Sequence, residues 1–110
     1  MTLDGDANYV LDQQGNPVAE PDFAAWSRWN YAHNAERRIA VDYRDGVRVS
    51  TVFLAINHRF APGPPILWET MIFGGDHDGY QERYTSAAAA RDGHDRAMVL
   101  AYEGANPDEQ

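Results

Sequence analysis

The chain has no cysteine, no lysine and no long apolar run. Without cysteine there is no disulfide framework, no thiolate zinc or iron–sulfur site and no thiol nucleophile. No stretch approaches the roughly 18 apolar residues of a transmembrane helix. Met1 to Asp6 are polar and acidic, unlike a signal peptide, so an intact protein of the cytoplasm is expected, with no membrane partner. All nine basic residues are arginine, which with the many alanines suggests a GC-rich genome. Arginine forks favour bidentate contacts with carboxylate or phosphate and stack on aromatic rings.

Charge is present but unevenly placed. Formal net charge is −8. Residues 1–25 carry Asp4, Asp6, Asp12, Glu20 and Asp22 with no basic residue, and the end carries Glu103, Asp108 and Glu109. Residues 26–102 are neutral, nine acids against nine arginines. The acidity therefore reads as solubilising charge on frayed ends, 1–7 and 104–110, rather than as a mimic of nucleic acid. No basic patch exists for direct nucleic-acid binding.

The 110 residues, 44% hydrophobic and 12% aromatic, support one domain over residues 1–110. Residues 8–12 read as a strand, and Gln14-Gly15-Asn16-Pro17 as a turn. Asp22 is placed to cap a helix that runs to about Arg37, with Trp26, Trp29, Ala32 and His33 on its apolar stripe. Strands follow at 38–43, 47–57, 66–73 and 80–84. They are joined by the Asp45-Gly46 turn, by a loop rigidified by Pro62, Pro64 and Pro65, and by the glycine-rich stretch Gly74–Gly79. The continuously apolar run Val52–Ile56 predicts a central strand covered on both faces. Thr85 or Ser86 caps a last helix to about Tyr102, with Ala90, His94, Ala97, Met98 and Ala101 on its stripe.

This order predicts an α+β two-layer sandwich: a four- to five-stranded, mainly antiparallel sheet with two helices on one face. The uncovered face is expected to carry Arg, Ser, Glu and Tyr side chains. Apolar groups there, such as Trp68 or Ile72, would call for a partner, most simply a homo-oligomer.

The segment Val49-Ser50-Thr51-Val52-Phe53-Leu54 with His58, and its continuation Gly63-Pro64-Pro65-Ile66-Leu67-Trp68-Glu69-Thr70-Met71-Ile72-Phe73-Gly74-Gly75, form a distinctive pattern. Arg83-Tyr84-Thr85, Gly93-His94, the opening Tyr9–Asp12 and Trp26 and Trp29 extend it over most of the chain. In these residues the chain resembles a widespread group of small phage- and prophage-encoded proteins. The resemblance implies a phage-type origin and no defined activity. The group's pattern has Gly-Leu-Asp-His where this chain has Ala55-Ile56-Asn57-His58, so a role needing a carboxylate at position 57 does not carry over.

Four histidines, His33, His58, His77 and His94, show no metal-ligand spacing. His58 and His77 fall at opposite ends of antiparallel strands about 30 Å long. Asp76-His77-Asp78 lacks the terminal glutamate of a calcium loop. No metal or cofactor is expected. Gly93 sits inside a helix beside His94, where it costs about 1 kcal/mol, so close backbone packing is the expected compensation. His94 itself reads as a hydrogen-bonded core residue or as part of a pocket.

The sheet edge where the central strand leaves and the last helix begins is expected to gather His58, Arg59, Arg83, Tyr84, Thr85 and His94. Arginine, histidine, an aromatic and a helix N-terminus suit a phosphate-bearing, nucleotide-like small molecule. Salt bridges such as Arg83 with Glu69 or Glu82 are the structural alternative. No nucleophile elbow is evident. Glu69 and Glu82 on neighbouring strands could form a carboxylate pair, but cross-strand acids near arginines read first as structural. The expected function is therefore a small accessory protein that binds or sequesters, in the manner of counter-defence, a small molecule or a host protein. A self-assembling structural protein and a His58- or His94-dependent phosphoester hydrolase are the alternatives.

Overall fold

The computed structural model describes residues 7–103. The ends expected to fray, 1–7 and 104–110, lie outside the described residues apart from Ala7. Among the described residues the fold is α+β, with two antiparallel sheets and two helices.

β1 (Tyr9–Leu11) and β2 (Pro17–Ala19) form a small hairpin. Asp12 ties its turn, its Oδ1 accepting from the N–H groups of Gln14 and Asn16, each at 2.9 Å. The bond from Asn16 leads the causes that hold the Asp12 carboxyl below its ordinary range. The sequence predicts β1 and the turn but not β2, because three residues that include Pro17 carry no alternation.

α1 (Phe23–Ala32) opens at Asp22, whose side chain accepts from the N–H groups of Ala24 and Ala25. It ends five residues before the expected Arg37. The Arg37 carbonyl instead accepts from the Phe53 N–H at 2.7 Å, and the Arg37 guanidinium donates to the Phe53 carbonyl at 3.1 Å. Strand pairing with a distant segment thus claims the backbone a longer helix would use.

β3 (Arg38–Arg44), β4 (Val47–Phe53), β5 (Trp68–Phe73) and β6 (Gln81–Tyr84) form the expected meander in the order β3-β4-β5-β6. β4 is central, as the sequence suggested, but it stops at Phe53. Ala55 lies in the left-handed region at φ 68°, which no continuing strand tolerates. Beyond that kink the chain pairs elsewhere: the Tyr9 N–H donates to the Ala55 carbonyl, and Asn8 bridges to Ile56. Ile56 is consequently exposed rather than covered on both faces.

Alternation assigns the two faces of the sheet. Val49, Thr51 and Phe53 pair in register with Ile72, Thr70 and Trp68, and all six are buried. α2 (Ala87–Glu103) lies over them and buries Ala90, Gly93, His94 and Ala97, so small residues let helix and sheet approach closely. Trp29 meets Phe53 edge-on with ring centroids 6.1 Å apart, which puts α1 on the same side. Trp26 donates its indole N–H to the Ala55 carbonyl at 3.0 Å, while Phe23 stays exposed. The opposite face carries Tyr43, Arg48, Ser50 and Glu69, as expected, but also Val52, Met71 and Phe73. Arg48 stacks over the Phe73 ring at 4.4 Å. No helix among the described residues is long and apolar enough to cross a membrane.

Candidate functional site

The six residues expected at one sheet edge occupy four separate environments. His58 and Arg59 make their contacts within the proline loop. The His58 ring nitrogen Nδ1 bonds the Ile56 carbonyl at 2.7 Å, and Arg59 Nε donates to the Pro64 carbonyl at 2.6 Å. Asn57 Oδ1 closes this loop by accepting from the N–H groups of Arg59 and Ile66, each at 2.9 Å. Arg83 points to the open face, where it pairs with Glu69 at 2.9 Å. Tyr84, the next residue on β6, points the other way and is buried under α2. Thr85 is exposed, and Ser86 is the helix cap, its Oγ accepting from the Ala89 N–H at 3.0 Å.

Tyr84 and His94 do share the helix–sheet interface. Tyr84 packs on Gly93, where a Cβ would lie 2.0 Å from the phenolic oxygen. This is the close packing that a glycine in mid-helix implies. Burial is the main cause that pushes the Tyr84 phenol up to about 12, with the acceptor Glu82 adding to it. Glu82 also accepts from Arg96 at 3.0 Å. Burial alone would raise its carboxyl, but the bonds from Arg96 and Tyr84 outweigh that and hold it low.

His94 joins a hydrogen-bond chain that runs from the half-exposed Asp42 into the core. Its Nε2 lies 2.8 Å from Asp42 Oδ2, and its Nδ1 lies 2.7 Å from Thr51 Oγ1. Thr51 in turn lies 2.5 Å from Thr70 Oγ1. With a neutral ring, Nε2–H donates to Asp42 and Nδ1 accepts from the Thr51 hydroxyl, which accepts from Thr70. Acid, imidazole and hydroxyl follow in the order of a nucleophilic triad. Yet both threonines are fully buried between sheet and helix, and neither lines the groove described below. The chain satisfies polar groups in the core and fixes α2 on the sheet.

A groove lies elsewhere, between the β1–β2 hairpin, α1 and the first turns of α2. Its volume is about 680 Å³, within the usual range of small-molecule sites. Leu11, Trp29, Ile39, Trp68 and Ala87 supply its apolar walls. A β-bulge between Arg38 and Ala40 breaks the alternation of β3, and Ile39 packs with the helix-side core. His33 stacks on Trp29 with centroids 4.8 Å apart, and its Nδ1 bonds the Trp29 carbonyl at 2.9 Å. Asp12, Glu36 and Arg91 bring charge to the rim.

Trp68 is only 1% exposed, and its indole N–H has no hydrogen-bond partner among the described residues. An unpaired buried donor costs about 1–3 kcal/mol and is rare in native proteins.

None of the six expected site residues lines this groove. Trp29 and His33 were visible as a helical stripe, and such a stripe reads first as core. Leu11, Ile39, Trp68 and Arg91 meet only through tertiary packing. Among the described residues, no group of three or more histidine, aspartate or glutamate side chains is placed to hold a metal ion. Comparisons of the chain with protein-family models, with curated proteins and with solved structures give no match.

Proposed function

We propose that this protein works by binding: a small phage-type accessory factor that sequesters a nucleotide-like small molecule in the cytoplasm of an infected or lysogenic bacterium, in the manner of counter-defence. The observation that carries the reading is the groove of about 680 Å³ with apolar walls from Leu11, Trp29, Ile39, Trp68 and Ala87. Apolar walls with a few polar groups at the rim are the usual make-up of a ligand site. The phosphate-binding role expected of His58, Arg59 and Arg83 receives less support. Arg59 is engaged within its own loop and Arg83 with Glu69 on the other face.

The test is native mass spectrometry of the protein purified from a bacterial host, followed by denaturation and identification of what is released. A stoichiometric small molecule lost on Trp29→Ala supports the reading. A protein that carries nothing and takes up nothing from a small-molecule extract of that host overturns it.

The open sheet face favours a second reading, self-assembly. Val52, Met71 and Phe73 lie there with Tyr43, and neither helix among the described residues packs over them. A strictly monomeric species at high concentration removes that reading.

A further inference from the structure

We infer that the groove also seats the Phe60 loop of a second copy of this chain, two copies exchanging loops in a closed dimer, an interaction distinct from small-molecule binding in the same groove. Phe60 is fully exposed, with a relative accessibility of 104%, and Ala61 and Pro62 beside it are exposed as well. A lone phenylalanine on a slack loop carries no message, but this loop is stiff. Pro62, Pro64 and Pro65 restrict its backbone. Asn57 Oδ1 accepts from the N–H groups of Arg59 and Ile66, and Arg59 Nε donates to the Pro64 carbonyl. The apolar tip is thus held out in water and kept off its own core. An aromatic presented on a preorganised loop loses little entropy on docking, which is the property of an interface anchor.

Loop and groove match in chemistry. Trp29 and Ile39 give the groove aromatic and aliphatic walls, and its rim sets the carboxylates of Asp12 and Glu36 against the single guanidinium of Arg91. An aromatic side chain flanked by a cation suits that lining. Arg59, next to Phe60, commits only its Nε to the Pro64 carbonyl, so its outer nitrogens are available to the exposed carboxylate of Glu36. They match in place as well. Phe53, Trp68 and Tyr84 lie side by side at one end of the sheet. The Phe60 loop leaves β4 and enters β5 at that end, where Trp68 and Ala87, the first residue of α2, line the groove. A two-fold axis can therefore seat each Phe60 in the other copy's groove at once, which closes the pair and leaves no open end.

The experiment is sedimentation velocity of the full chain over a concentration series, after exhaustive dialysis because a small molecule in the groove would compete with the loop. The parent is expected to dimerise. Phe60→Ala removes a side chain that touches no core residue, so the fold is retained. It is expected to weaken the dimer at least about a hundredfold, since two anchors are lost together. Glu36→Arg is expected to weaken it less, with a deficit that shrinks at high salt. In a mixture of isotope-labelled and unlabelled chains, NMR is expected to show contacts between the Phe60 ring of one copy and the Trp29 ring of the other.

A parent that stays monomeric at the concentration of the NMR sample overturns the exchange. A dimer that Phe60→Ala leaves unchanged, or one that lacks the Phe60–Trp29 contact, also overturns it and moves self-association to the open sheet face. Small-molecule binding fails separately: a loop-exchanged dimer from which no small molecule is released, and which takes none up, removes that reading and leaves the exchange standing.

Discussion

Gly93→Ala is the substitution for which the structure makes the sharpest demand. In an exposed helix interior the change gains about 1 kcal/mol from helix propensity. Here the new Cβ would lie 2.0 Å from the Tyr84 oxygen and 2.3 and 2.4 Å from two ring carbons. Ordinary carbon contacts are about 3.5–4.0 Å, so the ring must move by more than an ångström or the helix must lift. Tyr84 is 7% exposed and packs with Phe53, Leu67, Trp68 and Ala90. Expelling it forfeits about 1.5–3 kcal/mol of burial and disturbs its bond to Glu82. The net expectation is a loss of about 2 kcal/mol, or a fall in Tm of roughly 10 °C for a domain of this size. Urea and thermal unfolding followed by circular dichroism measure it. Tyr84→Ala in the Gly93→Ala background removes the ring and is expected to cost much less than the sum of the two single changes. A Gly93→Ala protein as stable as the parent, or more stable, refutes the reasoning.

The remaining expectations concern the buried chain and the ionisable groups around it. Thr51→Val keeps the shape of a fully buried side chain but strands His94 Nδ1 and Thr70, and is expected to cost about 2–3 kcal/mol in urea unfolding. The Glu82 carboxyl is lower in the folded than in the unfolded state, so its contribution is present above its ordinary value of 4.5 and lost as pH falls through the folded value. Glu82→Gln should therefore flatten the acid limb of the stability–pH curve, and an unchanged limb counts against its pairing with Arg96. The Tyr84 phenol is raised from 10.0 to about 12, so its contribution is full below pH 10 and is lost as pH rises through about 12. An alkaline titration of phenolate absorbance should show one tyrosine, absent in Tyr84→Phe, ionising at about pH 12.

Much of the fold was legible in the chain because its causes are local. The Asp45-Gly46 pair, with both residues at positive φ, closes the β3–β4 hairpin as its composition demands. The stripe Ala90, His94, Ala97 of α2 emerges buried, because a 3.6-residue period leaves only one face for the sheet. Gly93 beside His94 signalled close packing, though nothing in the sequence named Tyr84 as the group that needs the space.

Boundaries set by distant partners were not legible. α1 ends early because Arg37 is drawn to Phe53, and β4 ends early because Ala55 turns into the left-handed region and pairs with the N-terminal segment. The gathering of His58, Arg59, Arg83, Tyr84, Thr85 and His94 assumed that residues ending at one sheet edge share one pocket. Alternation along β6 sends Arg83 and Tyr84 to opposite faces, and the Asn57 loop closes on itself.

By itself, then, the sequence determined the α+β class, the meander order and the helix–sheet stripe, since each follows from periodicity, turn chemistry and capping within a few residues. Only the tertiary structure decided which polar groups meet. The Asp42–His94–Thr51–Thr70 chain and the groove around Trp68 join residues that are dozens of positions apart. Such contacts are set by how whole elements pack, and no local pattern encodes them.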